Sequence, residues 1–112
     1  MVNYNDENLN DVFQALSDPT RREIIRSLAA SEMTVMNLAK PFDMSLPAIS
    51  KHLKVMEKAG LVSVRKEGTY RYYYLNPQAI ENAQEWLVDL RKFWTAQVFN
   101  LEQFLETQSK ED

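Results

Sequence analysis

Four prolines and two glycines punctuate this chain, and their positions restrict it to short helices, a hairpin and one long helix. Pro19 comes directly after Ser17-Asp18, which ends a first helix carrying the apolar stripe Leu9, Val12, Phe13 and Leu16. Asp18 is a good N-cap for the next helix, and Pro19 suits its first position, where no backbone donor is lost. That second helix is expected to reach about Ala30 with Ile24, Ile25 and Leu28 inward, until Ser31-Glu32-Met33-Thr34 breaks it. A short third helix over 34–40 buries Val35, Leu38 and Ala39, and Pro41 ends it by disfavouring helical geometry at Lys40. Ser45 caps a fourth helix, Pro47 sits harmlessly in its first turn, and Gly60 supplies the left-handed residue that stops it.

At about 100° per residue, Leu46, Ile49, Leu53 and Met56 share one side of the fourth helix. Pro47, Ser50, Lys51, Lys54 and Lys58 occupy the opposite side, with His52 at the margin. The segment LVSVRKEGTYRYYYL then reads as two strands around a Glu67-Gly68 turn. Alternation turns Tyr73 inward and leaves Tyr72 and Tyr74 on the other face, so packing accounts for the tyrosines better than base stacking does. Asn76 caps and Pro77 opens a last helix whose inner stripe is Ile80, Ala83, Leu87, Leu90, Trp94, Val98, Leu101 and Leu105. The expected architecture is mainly α with a small β-hairpin: about five helices and a two-stranded wing in a single domain over 1–112. A helix-turn-helix covers 34–59, the wing 61–75 and the long helix 77–107, with 1–8 and 108–112 expected to fray.

Charge is distributed by region. Residues 1–44 carry net −3, residues 45–74 carry +4 and residues 75–112 carry −4. A positive band between negative flanks allows a polyanionic partner despite the acidic total. The absence of cysteine removes disulfides, thiolate nucleophiles and thiolate metal sites, and one histidine is too few for a structural zinc site. No metal or other cofactor is therefore expected. No phosphate loop, G-x-S-x-G elbow or His/Asp/Glu cluster points to an enzyme. The opening MVNYNDENLNDVF has no basic region before an apolar stretch, and no apolar run approaches membrane-spanning length, so a cytoplasmic location without a membrane role is expected.

Helix, short turn, helix, then hairpin is the element order of a winged helix-turn-helix. The DNA major groove admits one helix, best led by short side chains that let its backbone approach the base edges. Ser45, Leu46, Pro47, Ala48 and Ser50 meet that need, and Lys51 and Lys54 beyond them reach phosphates. His52 is expected close to DNA through its neighbours Ser50 and Lys51. Arg65, Lys66 and Arg71 lie near the hairpin tip, where a wing meets the flanking backbone or minor groove. Lys58 is far from the leading end and reads as solvated surface. Arg21 and Arg22 open the second helix, the unfavourable end for a cation, so they need a partner: a carboxylate in the fold or a DNA phosphate.

ALSDPTRREIIRSL, MNLAKPFDMSLPAISKHLKVMEKAGLV and VRKEGTYRYYYLN resemble the successive signatures of ArsR-type winged-helix transcriptional repressors over residues 9–100. The resemblance places the recognition-helix pattern on Ser45, Pro47, Ala48, Ser50, Lys51 and His52, and the wing on 65–71. It implies a homodimer joined by the first and last helices, here through Leu9, Val12, Phe13, Leu16, Leu87, Leu90, Trp94, Val98, Leu101 and Leu105. Surplus apolar residues on the last helix (Trp86, Phe93, Phe99, Phe104) favour such a dimer independently. Thr34 and Met36 stand where metal-sensing members carry a thiolate pair, and the last helix has no histidine, so the chain is similar to the cysteine-free members. The expected function is a repressor that binds an imperfect palindrome in double-stranded DNA. Two other readings stay open: a winged-helix protein–protein module, and a repressor released by a small apolar effector held among Trp, Phe and Met side chains (Met33, Met36, Met44).

Overall fold

A computed structural model describes residues 6–111, so residues 1–5 and 112 of the termini expected to fray lie outside the described residues. Helices α1 (Asp6–Leu16) and α2 (Pro19–Ala30) meet at the Ser17-Asp18 corner. There the Asp18 carboxylate accepts the Arg21 N–H at 3.0 Å, which satisfies one of the unpaired donors at the start of α2. Strand β1 (Met33–Thr34) follows, and the Thr34 hydroxyl caps α3 (Val35–Ala39) by accepting the Asn37 N–H. Ser45 caps α4 (Leu46–Lys58) by accepting the Ala48 N–H at 3.2 Å.

The end of α4 combines two reciprocal bonds, Leu61 N–H to the Met56 carbonyl and Gly60 N–H to the Glu57 carbonyl, both 2.9 Å. That closure needs the left-handed Gly60, whose φ is +76°. Asn8 donates to the Ala59 carbonyl at 3.2 Å, which fastens α1 to the same corner.

Strands β2 (Val62–Glu67) and β3 (Tyr70–Leu75) form the hairpin, and Glu67 pairs with Tyr70. The turn is thus Gly68-Thr69, one residue beyond the expected Glu67-Gly68, because Gly68 at φ +61° takes its first position. The wing sheet has three strands where the sequence implied two. Met33 and Thr34 pair with Tyr73 and Tyr72 along the free edge of β3, giving the order β1-β3-β2. A two-residue strand has no periodicity of its own; the open edge of β3 creates it.

Val12, Ile24, Leu38, Ile49, Leu53, Met56 and Leu61 form the centre of the core, and Tyr73 packs on it from the sheet. Leu46 departs from expectation: it is 46% exposed, since the first turn of α4 projects beyond the helices that cover Ile49 and Leu53. Helix α5 (Pro77–Glu111) continues past 107. Among its described residues only Ala79 and Ala83 are buried, and Phe13 meets Trp86 edge-on at 5.6 Å. Beyond Trp86 the helix projects from the body, and the molecule measures 75 × 32 × 22 Å. Leu87, Leu90, Trp94, Val98, Leu101 and Leu105 of the inner stripe, together with Phe93, Phe99 and Phe104, stand exposed on it. Leu9 and Val12 were expected at a subunit interface. They are instead buried in the protomer's own core, Val12 completely, so α1 offers a partner only Phe13 and Leu16 of that set.

Candidate nucleic-acid interface

The buried stripe Ile49, Leu53, Met56 fixes the rotation of α4 and thereby decides what it presents outward. Ser45, Leu46, Pro47, Lys51 and Lys54 are exposed, and Ala48 and Ser50 are half-buried beside them. The leading end therefore carries two hydroxyls and small or apolar groups, with two ammonium groups behind. The Ser45 oxygen is engaged as the helix cap, which leaves its O–H free to donate outward.

On the hairpin, register separates the charges by face. Lys66 and Arg71 are directly opposed across β2 and β3, on the face that also carries Val64 and Tyr73 and turns toward the helical body. Like charges in such cross-strand positions repel, so this pair costs stability in the free protein. Arg65 lies on the other face and is already neutralised. It meets Glu32 at 2.6 Å and Glu67 at 2.7 Å, and its guanidinium stacks 4.7 Å from the Tyr72 ring centre. These carboxylates, Glu32 foremost, push the Arg65 pKa further above its ordinary value. Burial in the core raises the Tyr73 phenol.

His52, Arg21 and Arg22 lie where α1, α2 and α4 converge. Arg21 donates from Nε to the Ala15 carbonyl at 2.7 Å and from Nη2 to the Gln14 carbonyl at 3.0 Å. Its Nη1 stands 3.2 Å from Nδ1 of His52. Arg22 donates to the Leu16 carbonyl at 2.7 Å. Both cations donate to carbonyls at the end of α1, a partner the sequence did not suggest, and Arg21 also lies near the Asp18 carboxylate, one of the two alternatives it left open. The backbone bond from Arg21, then the nearby guanidinium and imidazole, hold the Asp18 carboxyl below its ordinary pKa.

Thr34 and Met36 provide a capping hydroxyl and a 68% exposed thioether. Among the described residues, no three His, Asp or Glu side chains cluster as metal ligands, and no helix is long and apolar enough to cross a membrane. The cavity beside the terminal helices, about 470 Å³, is lined among the described residues by Leu9, Asn10, Phe13 and Trp86, with no methionine among them. Sequence reasoning did not foresee the Arg65–Glu32 pair or the Arg21–His52 contact, whose partners are far apart in the chain; the only local signal was a cation at the unfavourable end of α2.

The chain is similar to known proteins in sequence and in fold. The family model described as bacterial regulatory protein, arsR family, matches residues 18–64. The transcriptional repressor SdpR of Bacillus subtilis is 37% identical over 81 residues, covering 72% of this chain and 90% of that protein. The crystal structure of an ArsR family transcriptional regulator superposes with a TM-score of 0.77 at 38% identity, over 85% of this chain and 97% of that one. A homodimeric winged helix-turn-helix DNA-binding domain from Mycobacterium bovis, a possible ArsR-family regulator, gives 0.63 at 29% identity over 78% and 82% of the two chains. This chain belongs to the ArsR family of bacterial regulatory proteins.

Proposed function

We propose that the chain is a transcriptional regulator of the repressor type that binds an imperfect palindrome in double-stranded DNA as a homodimer, in the cytoplasm and without a cysteine metal switch. The observation that carries this reading is a set of exposed cations, Lys51 and Lys54 on the outward face of α4 and the opposed Lys66–Arg71 pair on the wing, which meet no carboxylate among the described residues. A polyanion complements that positive charge directly, beyond the screening that water and dissolved ions give. Helix α4 enters the major groove with Ser45, Pro47, Ala48 and Ser50 leading, and exposed Leu46 can meet a thymine methyl. Lys51 and Lys54 take phosphates beside the groove, and Lys66 and Arg71 take the flanking backbone. Arg65 serves the wing by holding it to Glu32, and reaches DNA only by leaving its carboxylates.

The exposed apolar stripe of α5, with Phe13 and Leu16, is the surface a second copy covers. A two-fold pair then presents two α4 helices to half-sites one DNA turn apart or a multiple of it. Selection of bound duplexes from a random pool tests the reading. Recovery of a spaced, inverted repeat is expected. Recovery of unrelated sequences, with affinity indifferent to salt, would favour the protein-contact module instead.

A further inference from the structure

We infer that Arg21 is a positioning residue for α4, acting through a hydrogen bond that only the neutral imidazole of His52 can accept. The inference rests on the DNA-binding reading above. An arginine guanidinium donates from every nitrogen, keeps its charge and accepts nothing. At 3.2 Å from Nη1, the Nδ1 atom of His52 must therefore be the acceptor, and the ring proton sits on Nε2. The same guanidinium is pinned by its other two nitrogens to the Ala15 and Gln14 carbonyls. Arg21 thus fastens the end of α1 to the middle of α4, and α1 carries the Phe13 contact to α5. This bridge joins the helix that reads DNA to a helix that meets a second copy, at the end of α1 opposite the Asn8–Ala59 bond.

Adding a proton at Nδ1 destroys the acceptor and sets two cations side by side. The groups facing the ring are few. From the start of α2 come Arg21 and Asp18, whose Oδ2 is 3.9 Å from Nδ1 and already holds the Arg21 N–H. The end of α1 contributes only the two carbonyls that Arg21 occupies. On α4 itself, Lys51 adjoins His52 in sequence and is exposed, and Lys54 lies two residues on, also exposed. Asp18 can attract the protonated ring but cannot restore the link to α1. Protonation therefore loosens α4, and DNA affinity falls as the pH drops through the imidazole range.

The sign separates this role from the sequence expectation that His52 touches DNA. A histidine against a phosphate strengthens binding when it gains charge; the bridge weakens it. The test measures affinity for a fixed duplex between about pH 8 and 5.5, the interval in which histidine takes up its proton, at constant salt. The parent is expected to lose roughly tenfold across it, the scale of one charge-assisted hydrogen bond. His52→Asn offers a carbonyl oxygen near the Nδ1 position and removes the chain's only histidine, so its affinity, whatever its level at pH 8, should lose the fall toward acid. Arg21→Lys should bind weakly at pH 8 with a flattened profile. Nitrogen NMR of the free protein reads the ring directly, with Nε2 protonated and Nδ1 bare at pH 8. Affinity that is flat or rises toward acid, or an Nδ1-protonated neutral ring, overturns the bridge. A protein that binds no duplex at any pH overturns the DNA reading itself.

Discussion

Replacing Lys66 with alanine should weaken DNA binding while leaving the free protein as stable as the parent or slightly more so. Lys66 is the register partner of Arg71 across the hairpin, and relieving a like-charged cross-strand pair gains about 0.2–1 kcal/mol. The proposed interface brings Lys51, Lys54, Lys66 and Arg71 of each protomer to phosphates, so a dimer offers eight such groups. Counterion release gives a slope of log affinity against log salt of roughly −7 for that number, and a loss on the order of ten-thousand-fold between about 50 and 200 mM salt. Removing Lys66 from both protomers should make the slope shallower by about 1.8. Fluorescence anisotropy of a labelled duplex across a salt series reads the slope, and urea unfolding of the free protein reads the stability. An unchanged slope would remove the wing from the interface. A shallower slope accompanied by lower stability would show that Lys66 supports the fold, which refutes the charge-repulsion reasoning.

Leu87→Glu combined with Leu101→Glu puts carboxylates into the exposed apolar stripe of α5 and should yield a folded monomer with poor DNA affinity, measurable by sedimentation. Asp18→Ala removes the cap of α2 and should cost about 1 kcal/mol at neutral pH. Because folding lowers the Asp18 pKa, that contribution is complete above the ordinary value of 3.8 and is lost as the pH falls through the lower folded value. Parent and variant unfolding curves should therefore converge in acid. Ser50→Ala should change the ranking of operator variants in competition assays more than it changes the salt slope, since a hydroxyl on a base edge carries sequence information and no charge.

Local chemistry was legible in the sequence wherever one residue acts on its near neighbours. Asp18 and Ser45 cap the helices they precede, and Gly60 closes α4, because each effect spans three or four residues; Thr34, expected inside α3, instead caps it. The inward face of α4 was legible for Ile49, Leu53 and Met56, whose spacing matches one helical face, yet the same spacing included the exposed Leu46. Periodicity states which way a side chain points, not whether anything lies there to cover it. The same limit explains Leu9 and Val12, assigned to a subunit interface although their own protomer buries them. Strand β1 has only two residues, below the length at which alternation is visible. The bonds between Arg65 and Glu32 and between Arg21 and His52 join positions 33 and 31 residues apart. Arg65 read as a DNA contact from its place on the hairpin, and Arg21 as a cation needing a carboxylate or a phosphate; the fold supplies both with internal partners.

Backbone amide NMR of the protein titrated with a duplex recovered by selection tests the central claim most directly. Shift changes should concentrate on 45–54 and on 65–72, with 99–109 of α5 unaffected. Changes confined to α5, or scattered without a maximum in either segment, would contradict it.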